Sequence, residues 1–214
     1  MMEKTLLLAA AYLGPVDFYA RLYGCNKVCI EQWDHYVKQT YRNRCRILAA
    51  GGVVQTLTVP VVKPKYEKMP YKDIRISDHG NWRHLHWQAL VSAYRNSPYF
   101  EYYEEDFLPF YTRKYDFLLD FNLSLQEMIC KLIGIETDVE LTSHYIDAAE
   151  AKFYRDYREI ADPGRKDCTI NVGPYYQVFP TSGGFQPDLS IVDLLFNMGP
   201  ESLIVLRDAN SANL

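Results

Sequence analysis

The residue types best suited to chemistry are concentrated in one stretch, Trp33-Asp34-His35-Tyr36-Val37-Lys38-Gln39-Thr40-Tyr41-Arg42-Asn43-Arg44. It holds few apolar residues, so it does not read as a core strand. It opens a longer cationic region. From Lys38 to Arg75 nine basic residues face two acidic ones, a net +7, while the rest of the chain carries −11 within a total of −4. A localised positive field in an acidic protein suits a phosphate, pyrophosphate or carboxylate group. Arg42 and Arg44 offer bidentate forks and Lys38 a point charge. Asp34 is placed to act as a general base, or to form an ion pair with Arg42 or Arg44. The basic residues from Lys63 to Arg75 serve equally as a solvated rim.

Other candidates are weaker. His84 and His86 flank Leu85. On a helix their side chains point about 200° apart and cannot share a metal. A single histidine, His86, can still transfer a proton or simply pack with Trp87. Ser190-Ile191-Val192-Asp193 matches the capping box of a helix start, which explains both polar residues without a ligand. Ser182-Gly183-Gly184 resembles a backbone phosphate cradle but lacks the following Lys of a P-loop. No G-x-S-x-G, H-E-x-x-H or G-x-G-x-x-G occurs. The signatures of several hydrolase, zincin and dinucleotide-binding classes are therefore missing.

These residues need elements to hold them. Thr5–Tyr12 reads as a strand covered on both faces. Pro15 opens a helix through Tyr23, stopped by Gly24, and Lys27–Glu31 is a second strand. Strand, helix, strand opens a parallel α/β unit, which places Trp33–Arg44 at the carboxyl end of the second strand, where open sheets bind ligands. Val53–Lys63 is a strand and Asp73–Ile76 a short one. Asn81 caps a helix through Ala93, and Asn122 caps another that ends at Gly134. Thr137–Thr142 is a strand, 146–168 a solvated helix or loop, Thr169–Phe179 β-like and 181–184 a turn. Ser190–Met198 is the last helix, with a frayed tail from Asp208. Between Tyr94 and Phe121, 11 of 28 residues are aromatic, enough either to line a pocket or to pack helices on a sheet.

The expected fold is α/β, a three-layer sandwich around a mainly parallel, Rossmann-like central sheet, with residues 1–214 as a single domain. A pI near 5.7 argues against a nucleic-acid binder, and a mean hydropathy of −0.25 with no long apolar run argues against a membrane span. The first residues lack the positive start of a signal peptide. The five cysteines, Cys25, Cys29, Cys45, Cys130 and Cys168, contain no C-x-x-C and read as buried thiols.

The chain resembles the WbqC-like family. The matching segments are Tyr36–Arg44; Leu57-Thr58-Val59-Pro60-Val61; Trp82, His86, Tyr94, Pro98, Tyr99 and Phe100; Leu119–Asn122; and Tyr176-Gln177, Phe185 and Leu189–Pro200. The resemblance implies a bacterial cytoplasmic protein of O-antigen or other surface-polysaccharide biosynthesis, with an enzymatic role in modifying a sugar precursor. It marks Tyr12, Pro15, Lys38, Asn43, Arg44, His86, Gln177 and Asp193. Two departures stand out: Ala-Ala precedes Tyr12 where longer members have Gln-Pro, and the region between Ser143 and Tyr175 is condensed.

Residues and resemblance together give one leading expectation, a transferase acting on a nucleotide-linked sugar or using an anionic acyl donor. Asp34 and His86 would be catalytic. Tyr12, Lys38, Arg42, Asn43, Arg44, Gln177 and Asp193 would bind the anionic substrate. No metal, cofactor, nucleic acid or membrane is expected, and a homodimer is allowed. The rival is a non-catalytic scaffold of a biosynthetic complex, presenting the aromatic and acidic segment Tyr99–Phe107. Burial of those rings, together with a polar cleft at Asp34–Arg44, favours the enzyme.

Overall fold

The computed structural model describes residues 4–163, 170–179 and 184–211. Cys168 and the expected turn at Thr181-Ser182-Gly183 lie outside them. The first strand, β1 (Leu6–Ala9), is buried at every position, as a run without alternation requires. The chain turns through Pro15 into α1 (Val16–Leu22) and returns as β2 (Lys27–Glu31), parallel to β1 with Leu6 opposite Val28.

After β2 comes a long excursion. The strands β3 (Arg44–Ala49) and β4 (Val53–Thr58) form an antiparallel hairpin, a separate two-stranded sheet closed by Gly51 and Gly52 at positive φ. Three helices follow: α2 (Trp82–Tyr94), α3 (Phe100–Thr112) and α4 (Leu118–Ile133). The chain rejoins the first sheet as β5 (Asp138–Leu141), passes through α5 (Ala148–Ala151) and adds β6 (Arg155–Asp156). Two helices, α6 (Ile191–Met198) and α7 (Ser202–Ser211), complete the described chain. The main sheet has the order β5-β2-β1-β6 and every pairing in it is parallel, so the fold is α/β.

The aromatic-rich segment packs the interior. The Phe196 ring lies 5.3, 5.2 and 5.0 Å from the rings of Tyr94, Phe100 and Phe107, so α2, α3 and α6 share one aromatic centre. Gly199 ends α6 with φ +53, and a Cβ there would stand 2.5 Å from the Tyr99 ring. The chain therefore needs glycine at this close approach.

Several local readings change. Arg44 to Ala49 is a strand: Cys45 and Ile47 are buried between the half-buried Arg44 and Arg46, and this alternation was hidden among the arginines. Asn122 does not cap α4, which begins a turn earlier; its Nδ2 donates to the Arg42 carbonyl at 2.7 Å and to Tyr71 Oη at 2.6 Å. Residues 71–73 form a 3-10 turn, and Arg75 and Ile76 make only isolated bridges. The stretch 170–179 has no regular strand, whereas 155–156 pairs with β1. Ser190 accepts from Val192 N as the N-cap, but Asp193 does not complete a capping box, because Ser190 N donates to the Arg46 carbonyl. The helix ending at Met198 is not the last, since Gly199-Pro200 redirects the chain into α7. Among the described residues no helix is long and apolar enough to cross a membrane.

Candidate functional site

The carboxyl ends of three parallel strands converge on one polar cleft of about 260 Å³. Asp34, Thr40 and Arg42 reach it from the segment after β2, Tyr145 from the segment after β5, and Asp156, Arg158, Glu159 and Asp162 from the end of β6 onward. This is where an open parallel sheet exposes the loops that can grip a ligand.

The segment after β2 is pinned on several sides. Tyr36 N donates to the Met69 carbonyl, Tyr71 N to the Asp34 carbonyl and Lys72 N to the Gln32 carbonyl. Asn122 holds the Arg42 carbonyl from α4. Arg42 is thereby buried, and its Nη2 donates to Asp34 Oδ2 at 2.9 Å. On the opposite wall Arg158 forks onto Asp156, with Nε 3.0 Å from Oδ1 and Nη2 2.7 Å from Oδ2, while Nη1 donates to the Ile146 carbonyl at 2.7 Å. Its guanidinium lies over the Tyr145 ring. Behind it Glu31 is fully buried and accepts from Trp33 N, Thr142 Oγ1 and Ile146 N at 2.8 to 2.9 Å, tying the exits of β2 and β5 together.

Four carboxylates and two guanidiniums therefore line the cleft, and both guanidiniums are engaged by carboxylates. With carboxylates in excess and both guanidiniums so engaged, such a wall presents mainly acceptors. A hydroxyl-rich ligand, which donates and accepts at each oxygen, matches it.

The remaining expected site residues occupy other places. Lys38 is exposed on the same segment between the wall residues Val37 and Thr40 and does not itself line the cleft. Asn43 is buried and donates from Nδ2 to the Val59 carbonyl at 2.9 Å, and Arg44 opens β3 opposite Thr58. Tyr12 and His86 meet in the core: Tyr12 Oη lies 2.9 Å from His86 Nδ1 and 3.0 Å from Tyr111 Oη. Burial pushes the His86 imidazole down to about 4, so it is neutral near pH 7. A bond to the Thr58 backbone leaves Nδ1 to accept from Tyr12.

Gln177 and Asp193 form a third group. Asp193 Oδ1 accepts from Tyr94 Oη at 3.0 Å, and Oδ2 accepts from Tyr175 Oη at 2.8 Å and Gln177 Nε2 at 2.9 Å. Gln177 Oε1 accepts from Gln186 N, and its Nε2 also donates to the Gln186 carbonyl. This network clamps 175–177 and 186 onto α2 and α6.

The structure thus separates the nine residues. Asp34 and Arg42 share the cleft, Tyr12 and His86 share the core, Gln177 and Asp193 share the clamp, and Lys38, Asn43 and Arg44 stand apart. Tyr145, Asp156 and Arg158 were missed as site residues. The one signal for Asp156 and Arg158 was the charged stretch Arg155–Asp162, whose mixed acidic and basic residues resembled a solvated surface.

The model of the WbqC-like protein family matches residues 10–162. The chain belongs to that family. Every residue named on the cleft wall falls within the matched region, whereas Gln177 and Asp193 lie beyond it. This WbqC-like chain is also 27% identical to the uncharacterized protein Rv1507c of Mycobacterium tuberculosis, over 96% of its own length and 98% of the relative's. No solved structure matches it. Among the described residues no group of three His, Cys, Asp or Glu side chains is arranged to hold a metal ion.

Proposed function

We propose that this WbqC-like protein is a cytoplasmic transferase-type enzyme that modifies an activated, nucleotide-linked sugar for surface-polysaccharide synthesis. The sugar ring occupies the cleft between Asp34 and Arg158. The observation that carries this reading is the meeting of Asp34, Thr40, Arg42, Tyr145 and Arg158 at the carboxyl ends of parallel strands. Arg42 and Arg158 direct their partner carboxylates, leaving the outer lone pairs for substrate hydroxyls, and the Tyr145 ring offers a face for the sugar. Asp34, held by Arg42, accepts the proton of a sugar hydroxyl as that oxygen bonds to the electrophilic carbon of an activated donor, whose leaving group departs with the electron pair of the broken bond. Lys38, on the exposed turn of the same segment, meets the diphosphate.

The scaffold reading draws less support. Phe100, Tyr103 and Phe107 are buried, and of the segment's large apolar side chains only Tyr102 is strongly exposed. No broad aromatic patch is left for a partner.

Thermal-shift and calorimetric titration against uridine, guanosine and deoxythymidine diphosphate sugars, with acyl-coenzyme A as the competing donor class, tests the proposal. A ligand at 100 times its Kd adds about 2.7 kcal/mol of stability. At least one nucleotide-sugar should produce such a shift, and Asp34→Asn and Arg158→Lys should each weaken it by about tenfold or more. Silence across the nucleotide-sugars, or binding that ignores both substitutions, removes the cleft from consideration.

A further inference from the structure

A second cavity, of about 270 Å³, lies beside α1 and is lined by Asp17, Asn171, Tyr175, Phe185 and Asp188. Asp17 is only 8% exposed, and its Oδ2 has no hydrogen-bond partner among the described residues. A buried carboxylate oxygen without a donor is costly. Bonds from the backbone N–H groups of Phe18 and Ile170 and the nearby Arg21 offset part of the cost. They do not supply the missing donor. The Arg21 guanidinium is stacked 3.8 Å over the Tyr157 ring.

Two features of the cavity favour a cation. A second carboxylate, Asp188, is on the same wall, and its field opposes ionisation of Asp17. Tyr175 and Phe185 meet edge to face at 4.9 Å, so an aromatic face and ring edges border the space. Aromatic faces attract ammonium groups, and the attraction strengthens where water is excluded. The volume is at the small end of ligand pockets, near 300 Å³. The carboxyl torsion of Asp is soft, so either oxygen can turn to a guest.

We propose that this cavity is a binding site for the protonated primary amine of a small molecule, with Asp17 as the buried counter-ion and Asp188 at the mouth. The ammonium donates to the carboxylate of Asp17 and lies against the aromatic pair. The site is separate from the sugar cleft and does not depend on it.

The test is calorimetric titration of the full chain with ethylamine, 2-aminoethanol and D-glucosamine, each beside its neutral counterpart ethanol, ethylene glycol or D-glucose. The amines should saturate one site and the neutral compounds should not. Asp17→Asn should weaken amine binding by about tenfold or more. Asp188→Asn, at an exposed position with φ +58 that asparagine adopts readily, should weaken it severalfold in a chain of unchanged fold. Retention by glucosamine alone would identify an amino sugar, and retention by all three a simple amine. Absence of amine binding, equal binding of the neutral compounds, or full affinity in both variants overturns the proposal.

Discussion

Asp193 and Tyr94, ninety-nine residues apart, are joined in the interior by a 3.0 Å hydrogen bond from the phenol to the carboxylate. The same phenol oxygen accepts from Leu48 N at 3.3 Å, so α6, α2 and β3 are fastened at one point. Burial raises the Asp193 carboxyl, and the bonds from Tyr175, Gln177 and Tyr94 pull it back. Its place in the chain suggests a helix cap, but its function in the fold is to anchor three segments. Tyr94→Phe removes one donor and should destabilise by about 1–3 kcal/mol in urea unfolding. Asp193→Ala, which leaves three donors without an acceptor, should cost more. A change in Asp193→Ala no larger than that of an exposed substitution would show that the network carries no stability.

Glu31 positions the cleft from behind. It binds both the exit of β5, through Thr142 and Ile146, and the start of the Asp34 segment, through Trp33 N. Glu31→Gln puts an amide N–H₂ where only acceptors are wanted, and should cost roughly 3 kcal/mol. Ligand affinity in the cleft should fall with it, because Asp34 and Tyr145 lose their common tether. Chemical denaturation read beside calorimetry checks both, and intact stability would exclude this anchoring role.

Two buried groups give opposite pH dependences. Burial drives Asp17 up to about 7, with Asp188 adding to the effect and Arg21 opposing it. The folded chain then holds a proton the unfolded chain has lost, so this group's contribution falls as pH rises from about 4 to about 7. His86, pushed down to about 4, behaves in the reverse sense. The unfolded chain binds the extra proton, so stability is lost as pH falls from about 6.5 to about 4. The windows overlap and partly cancel. Denaturation midpoints from pH 4 to 8 should therefore rise more steeply with pH in Asp17→Asn than in the unsubstituted protein, and less steeply in His86→Gln. Parallel profiles in all three would show that neither group titrates differently on folding.

Short-range patterns made a good part of this protein legible. The unbroken apolar run at Leu6–Ala9, the second strand at Lys27–Glu31, the apolar periodicity of α4 with Gly134 as its stop, and Ser190 as a cap all follow from contacts within one or two turns of chain, and so does the parallel α/β opening. The family was legible too, from motifs that are contiguous. The cleft was not. Asp34 was visible as a candidate because it lies in an unusual polar segment, but Tyr145 and Arg158 sit more than a hundred residues away and reach it only because β5 and β6 flank β2 and β1. Strand order is a choice among pairings of similar local cost, and burial of the whole sheet decides it. Composition places the arginines in the chain, but only packing determines that Arg42 faces Asp34, that Arg44 belongs to a strand, and that Asp17 is enclosed beside Asp188, because burial and pairing depend on neighbours contributed from everywhere else in the molecule.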